Sequence, residues 1–172
     1  MNESLKQELE LTFKDILVTE HGDGRLSIGA GPLQVLTVLG FLKAKGFDHL
    51  ALLSAVDRIE EQEFELVYVL TRYVQNAGEE ALRGERILIV KTAISRDNPH
   101  LKAAIGVFPN AEPYEREIHE LFGIHFEGHP RLKPLFLERQ YSIPPFRKDF
   151  DTREYVEDVF DTIPFVEDET GL

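Results

Sequence analysis

Two extended apolar runs, His49–Ile59 and Phe64–Tyr73, stand on either side of the polar quartet Glu60-Glu61-Gln62-Glu63. Runs of this length, rich in Leu, Val and Tyr and separated by a short polar stretch, predict a β-hairpin. A hairpin cannot bury itself, so the rest of the chain must supply a third strand and a covering layer. Arg86–Ile94 reads as that third strand, after a loop containing Gly78 and Gly84, and Arg25–Gly29 as a shorter one after a Gly22-Asp23-Gly24 turn. Helical patterning flanks the strands. Ser4 with Gln7 forms a capping-box pattern, and Leu5, Leu9, Phe13, Ile16 and Leu17 share one helical face. Pro32 suits the first position of a second helix with Leu33, Val35, Leu36, Leu39 and Leu42 as its apolar set, Lys43 and Lys45 near its negative end, and Gly46 as its stop. Asp97-Asn98-Pro99 predicts the start of a helix reaching Val107, and Glu112–Phe122 a further one closed by Gly123. Strands following one another as a meander, with helices at both ends, predict an α+β fold: a small, mostly antiparallel sheet flanked by helices.

Charge and cysteine usage narrow the chemistry. The 172 residues hold 19 Lys+Arg against 31 Asp+Glu, a net charge of −12, which opposes binding to nucleic acid or anionic lipid. With no Cys, the chain lacks thiol nucleophiles, disulfides, thiolate zinc sites and Cys-ligated iron–sulfur clusters. Met1–Glu10 lacks the apolar core of a secretory signal, and the apolar stretch Leu33–Leu42 falls well short of the ~20 residues that cross a bilayer. The expectation is a soluble chain in the cytoplasm that reaches a membrane only through a partner.

Composition changes near Gly128. Pro130, Pro134, Pro144, Pro145 and Pro164 interrupt the remainder of the chain, and residues 151–172 carry eight acids against the single base Arg153. Phe136, Tyr141, Phe146, Phe150, Tyr155, Phe160 and Phe165 are spaced through the same region. So polar a segment orders itself poorly alone, yet its aromatics need apolar contacts. The sequence therefore divides into an α+β domain, residues 1–130, and an acidic, aromatic C-terminal stretch, residues 131–172, which reads either as a frayed acidic tail or as an extended arm that docks on a partner subunit.

No active site emerges from motif reading. His119-Glu120-Leu121-Phe122-Gly123 has Gly where a zinc-protease helix places its second His. His125 and His129 flank Glu127, but Gly128 and Pro130 oppose a helix there, leaving a metal hydrolase built on His119, His125 and His129 as a remote alternative. The glycines at 22, 24, 29 and 31 match no phosphate-loop pattern, and Ser54 and Ser95 lie in no nucleophile elbow. The dense features are a charged helix, a Phe-Gly-Ile step, a Gly-His-Pro turn and the basic pair Arg131 and Lys133. Together they read as a docking surface.

The run Glu115-Arg116-Glu117-Ile118-His119-Glu120-Leu121-Phe122-Gly123-Ile124-His125-Phe126-Glu127-Gly128-His129-Pro130-Arg131-Leu132 resembles the E-R-E-x-x-[DE]-x-F-G-I-x-F-x-G-H-P-x-L element of the NADH dehydrogenase C subunit, the 30 kDa subunit of respiratory complex I. Leu53–Asp57 and Phe64–Leu70 are similar to the family's paired strands, and Pro145–Phe150 to its P-x-R-K-D-[YF] element. The resemblance implies a cofactor-free accessory subunit in the peripheral arm of an ion-translocating oxidoreductase, on the cytoplasmic side of the cell membrane. Its implied partners are a large hydrogenase-like subunit and an iron–sulfur small subunit. Those partners would hold the iron–sulfur clusters and the quinone or nickel–iron site, and the membrane arm would be reached through them. Membrane-bound [NiFe] hydrogenases, formate hydrogenlyases and sulfur-reducing complexes carry related subunits. Glu115, Arg116, Glu117, Phe122, Gly123, Gly128, His129, Pro130, Arg147, Lys148 and Asp149 are the implied partner-interface positions. Arg116 is expected to pair with a carboxylate, and Arg147-Lys148 to pin the arm to an acidic partner.

Overall fold

A computed structural model describes residues 2–21, 25–72, 87–137 and 141–159. The expected Gly22–Gly24 turn, the Gly78/Gly84 loop, Tyr73, Arg86, Phe160, Pro164 and Phe165 lie outside them. Within the described residues the order is α1 (Asn2–Thr12), β1 (Leu17–Glu20), β2 (Leu26–Gly29), α2 (Val35–Ala44), β3 (His49–Arg58), β4 (Glu63–Thr71), β5 (Ile87–Ser95), β6 (His100–Lys102), α3 (Ala111–Phe122), β7 (His125–Glu127) and α4 (Thr152–Val159). The fold is α+β. Its main sheet runs β1-β2-β5-β4-β3, and β6 with β7 form a second, two-stranded sheet.

The expected hairpin is β3–β4, antiparallel from Leu50↔Leu70 to Arg58↔Glu63, and β5 continues the meander on β4. Alternation decides which face is covered. Leu53, Ala55, Phe64, Leu66, Tyr68, Leu70, Leu88, Val90 and Ile94 point into one core, while Leu52 and Val56 remain exposed on the other face. Helix α2 lies against β5 and α3 against β3. Gly46, at φ +94°, ends α2 in the left-handed conformation open to glycine, and the Phe47 N–H returns to the Leu42 carbonyl at 3.1 Å.

Four expectations are corrected. The sheet is not a pure meander, because the β1–β2 hairpin joins β5 through a parallel β2–β5 pairing. Helix α1 begins before Ser4 and stops at Thr12 rather than reaching Leu17. Asp15 turns left-handed at φ +60°, which breaks the helical path, and Leu17 enters β1 as an exposed side chain. Leu33 precedes α2 in the Gly31–Gln34 turn and is 92% exposed, so it does not belong to that helix's core set. No helix spans residues 97–107. His100–Lys102 pairs in parallel with His125–Glu127, followed by one 3-10 turn at Ala104–Gly106. The strand pairing buries Leu101 and Phe126, a tertiary gain of a few kcal/mol that outweighs a local helix cap.

Candidate functional site

Helix α3 organises the signature residues. Asn110 precedes it, and Gly123 ends it at φ +76°, with its N–H bonded to the His119 carbonyl at 2.9 Å. A Cβ on Gly123 would stand 3.0 Å from Pro144 Cγ and 3.1 Å from Arg147 Nη2, so this glycine serves both the turn and the close approach of the arm. The arm is held along the last turn of α3. Glu120 accepts from three successive backbone N–H groups: Leu135 at 3.0 Å, Phe136 at 3.0 Å and Leu137 at 2.5 Å. One residue on, the Leu121 carbonyl accepts from the Phe146 N–H at 2.9 Å, and the Phe122 carbonyl from Arg147 Nε at 2.7 Å. Phe136 and Phe146 are thereby fixed while remaining 68% and 59% exposed.

Arg116 meets its expected carboxylate, but only loosely. Its guanidinium donates to the backbone carbonyls of Lys133 (3.0 Å) and Pro134 (2.9 Å), while the Glu112 carboxylate stands 3.7 Å away. The forked donor is satisfied mainly by chain carbonyls, not by a bidentate carboxylate. Arg147 likewise turns inward. Besides its bond to Phe122, it lies 5.1 Å over the Phe64 ring, which packs edge-on to Phe122. Burial, with Arg96 close by, lowers the Arg147 pKa. Lys148 contributes its backbone N–H, which bonds Asp57 at 2.8 Å, and its side chain is exposed.

Asp57 and Arg96 join the arm's attachment, although motif reading does not single them out. Asp57 is buried at the end of β3 and takes Arg96 Nε at 3.0 Å and Nη2 at 3.3 Å. Arg96 Nη2 also reaches Asp149 Oδ1 at 2.5 Å. Burial acts to raise the Asp57 pKa, but the Arg96 guanidinium and the Lys148 N–H override it and hold the carboxyl below its ordinary value. Asp57 closes the Leu53–Asp57 strand segment, which is the one signal pointing to it. Its partners lie 39 and 91 residues away, a separation that carries no local signal.

At the opposite end of α3, Glu115 is fully buried, and its Oε1 accepts from the Ala104 N–H at 2.5 Å. Burial pushes its pKa up to about 7, against the Ala104 bond and with help from Glu112. His129, whose side chain is also buried, follows the turn at Gly128 (φ +83°), and Pro130 after it is exposed. Glu117 is half-buried on α3 and Phe122 is buried. The structure thus brings Phe122, Gly123, Arg147, Lys148 and Asp149 to one end of α3, with Glu115 and His129 at the other.

The histidines of the hydrolase alternative do not converge. The His119 and His125 rings meet edge to face with their centres 6.4 Å apart, whereas His129 faces Glu112 and Glu115. Among the described residues, no group of three or more His, Cys, Asp or Glu could hold a metal ion. Nor is any described helix long and apolar enough to cross a membrane. A shallow cleft of about 620 Å³ beside β1 and β2 is walled by Leu17, His21, Gly29 and Lys91. Its Lys91 is drawn to Glu65 at 3.3 Å, and Glu65 in turn meets Arg58 at 2.9 Å.

Comparison with known proteins covers most of this architecture. Residues 29–156 match the family described as respiratory-chain NADH dehydrogenase, 30 kDa subunit. The F420H2 dehydrogenase C subunit of Methanosarcina mazei is 38% identical over 106 residues, 61% of this chain and 61% of that one, so the match spans less than two thirds of that relative. The NADH-quinone oxidoreductase C subunit of Moorella thermoacetica is 34% identical over 145 residues, 84% of this chain and 91% of that one. A chain in the structure of the membrane-bound sulfane sulfur reductase, an archaeal respiratory membrane complex, aligns with a TM-score of 0.76 and 28% identity over 99% of this chain and 97% of that one. With the signature run, the strand pair and the arm anchor all inside the matched span, this chain belongs to the 30 kDa subunit family of respiratory-chain NADH dehydrogenase.

Proposed function

We propose that this chain is a cofactor-free accessory subunit of a complex-I-like respiratory oxidoreductase, peripheral on the cytoplasmic side of the membrane, that holds electron-transfer subunits in register. Its direct partners are a large hydrogenase-like subunit and an iron–sulfur small subunit. Those partners carry the iron–sulfur clusters and the quinone or nickel–iron site. The observation that carries this reading is the arm's attachment: consecutive α3 residues 120–122 fix residues 135–137 and 146–147, and Phe136 and Phe146 stay outward. Exposed aromatic anchors on a fixed scaffold are what a partner's apolar pockets engage.

Co-expression with the two candidate partners tests it. The three chains should co-purify, and the double variant F136S/F146S should fold yet leave the complex. A wild-type chain that stays alone in the presence of both partners overturns the reading. The isolated chain should be colourless and redox-silent, and an iron–sulfur or flavin absorption band in pure protein would contradict that. A second reading places the subunit in a membrane-bound hydrogenase or sulfur-reducing complex, supported by the near full-length alignment with the sulfane sulfur reductase chain. Exchange of partner subunits between the two kinds of complex separates the readings, since only the cognate set should assemble.

A further inference from the structure

Among the described residues, no cation hydrogen-bonds to the buried Glu115. Its Oε1 is occupied by the Ala104 N–H, while Oε2 has no hydrogen-bond partner although it is buried. His129 Nε2 is 3.9 Å from Oε2, and both side chains are fully buried. That imidazole is not a counter-ion. Its Nδ1 accepts the Arg131 N–H at 3.1 Å, so the ring proton sits on Nε2, which is aimed at the Glu112 carbonyl at 3.2 Å. Both nitrogens are therefore engaged by groups other than Glu115.

The other described elements around Glu115 offer no cation either. From β4 comes the Tyr68 hydroxyl, buried without a partner and near enough that a Glu115 charge opposes its ionisation. From α3, one turn earlier, comes Glu112, itself an acid, which pairs outward with Arg131 at 3.0 Å and with Arg116 at 3.7 Å. From the 3-10 turn comes only the Ala104 N–H. A bare carboxylate here faces another acid, a phenol and a committed imidazole, an arrangement that favours the neutral acid.

We propose that Glu115 is a proton-dependent latch: as a neutral acid it lets the His129 turn pack closed on α3, and its ionisation places an unpaired charge beside that turn and loosens the 128–134 segment. That segment is tied to the same helix through His129, Arg131 and Arg116, which reach Glu112 or are reached from residues 133 and 134. Opening it would move the exposed Gly128–Arg131 turn and the start of the arm. The consequence for assembly rests on the proposed docking role, whereas the latch is a property of the free chain. A failed partner assay and a failed latch are thus separate results.

The decisive measurement is a carbon-13 NMR titration of the Glu115 side-chain carboxyl in the full-length chain between about pH 5 and pH 9, assigned by its loss in Glu115→Gln. A single transition centred at about 7 is expected. A carboxylate signal already present at the acidic end overturns the proposal. Hydrogen exchange, corrected for its intrinsic pH dependence, provides the mechanical readout. Protection across residues 128–134 should fall roughly tenfold or more from pH 6 to pH 8 in wild type and stay level in Glu115→Gln, whose amide mimics the neutral acid. An equal fall in both proteins also overturns it. If Glu115→Gln does not fold, the neutral acid is not what the site requires, and the proposal fails on that outcome too.

Discussion

Asp57 and Glu115 are both buried carboxylates that accept a backbone N–H, yet their surroundings drive them in opposite directions. At Asp57 the doubly bonded Arg96 guanidinium outweighs burial and keeps the group ionised. At Glu115 no cation among the described residues is in place, and burial prevails. Burial alone therefore does not decide the charge state of an acid. The decisive factor is whether the fold delivers a counter-charge from a distant part of the chain. One site fastens the arm by charge, and the other lets the turn close on a carboxyl kept neutral.

The largest expected effect breaks the first site. Asp57→Ala leaves Arg96 with only the half-exposed Asp149 and places it beside Arg147, while the Lys148 N–H loses its acceptor. Removing one member of such a pair costs about 3–5 kcal/mol, measured by urea unfolding, and Asp57→Asn should recover part of it by keeping a hydrogen-bonding group. A loss under about 1 kcal/mol would mean that the pair does not set the contrast.

Second comes the pH dependence of stability, where the two acids have opposite signs. Asp57 is lowered from 3.8, so its contribution is complete above that value and disappears as pH falls through its folded pKa. Glu115 is raised from 4.5 to about 7, so its contribution is complete below 4.5 and disappears as pH rises towards 7. Between those two values wild type should lose about 3 kcal/mol relative to Glu115→Gln, and Asp57 should add no slope. Equal slopes in the two proteins would remove the distinction drawn between the sites.

What can be read from sequence depends on the range of the forces involved. Strands β3 to β5 and helix α3 are legible because alternation, helical periodicity and a terminal glycine are local signals. The expected Asp97–Val107 helix fails because its cap is local, whereas the β6–β7 pairing that displaces it joins residues 25 apart, as in His100↔His125. Leu17 falls outside its expected helix because nothing in its side chain announces that Asp15 will turn left-handed. The same distinction applies at the site. The signature run identifies α3 and its turn, but not that Arg116, besides its ion pair with Glu112, and Arg147 bond chain carbonyls. Glu120 falls on the acidic position of that run, yet nothing in the sequence pairs it with the three arm amides that it gathers. Aromatic spacing in the arm is a correct cue to apolar contact of a different kind. Tyr141, Phe150 and Tyr155 pack on one another, with ring centres 4.9 to 5.9 Å apart.

Gly123→Ala probes the junction between the two sites. An added Cβ must adopt φ +76° and stands within 3.1 Å of Pro144 and Arg147. The left-handed conformation alone costs roughly 1–2 kcal/mol for a residue other than glycine. We expect a total near the upper end of that range, together with faster amide exchange at Phe146 and Lys148 and little change around Glu115. Equal loosening at both ends would show that α3 moves as one body and that the two sites are not independent.

The smallest effect is expected for Arg116→Ala, and it sharpens the comparison most on the Glu115 side. Arg116 joins α3 to the carbonyls of Lys133 and Pro134 and lies near Glu112, the acid that opposes Glu115 ionisation. Its side chain is only 14% exposed, so two hydrogen bonds are lost without full replacement by water, a cost of about 1–2 kcal/mol. Removing its positive charge from Glu112 also leaves that acid less compensated, which favours the neutral form of Glu115 further. Global stability should therefore fall modestly while the Glu115 transition moves to higher pH. In the assembled complex the same variant should weaken subunit retention, because residues 133 and 134 lead into the anchored arm. A Glu115 transition that moves to lower pH would show that Arg116 reaches Glu115 by a route other than Glu112.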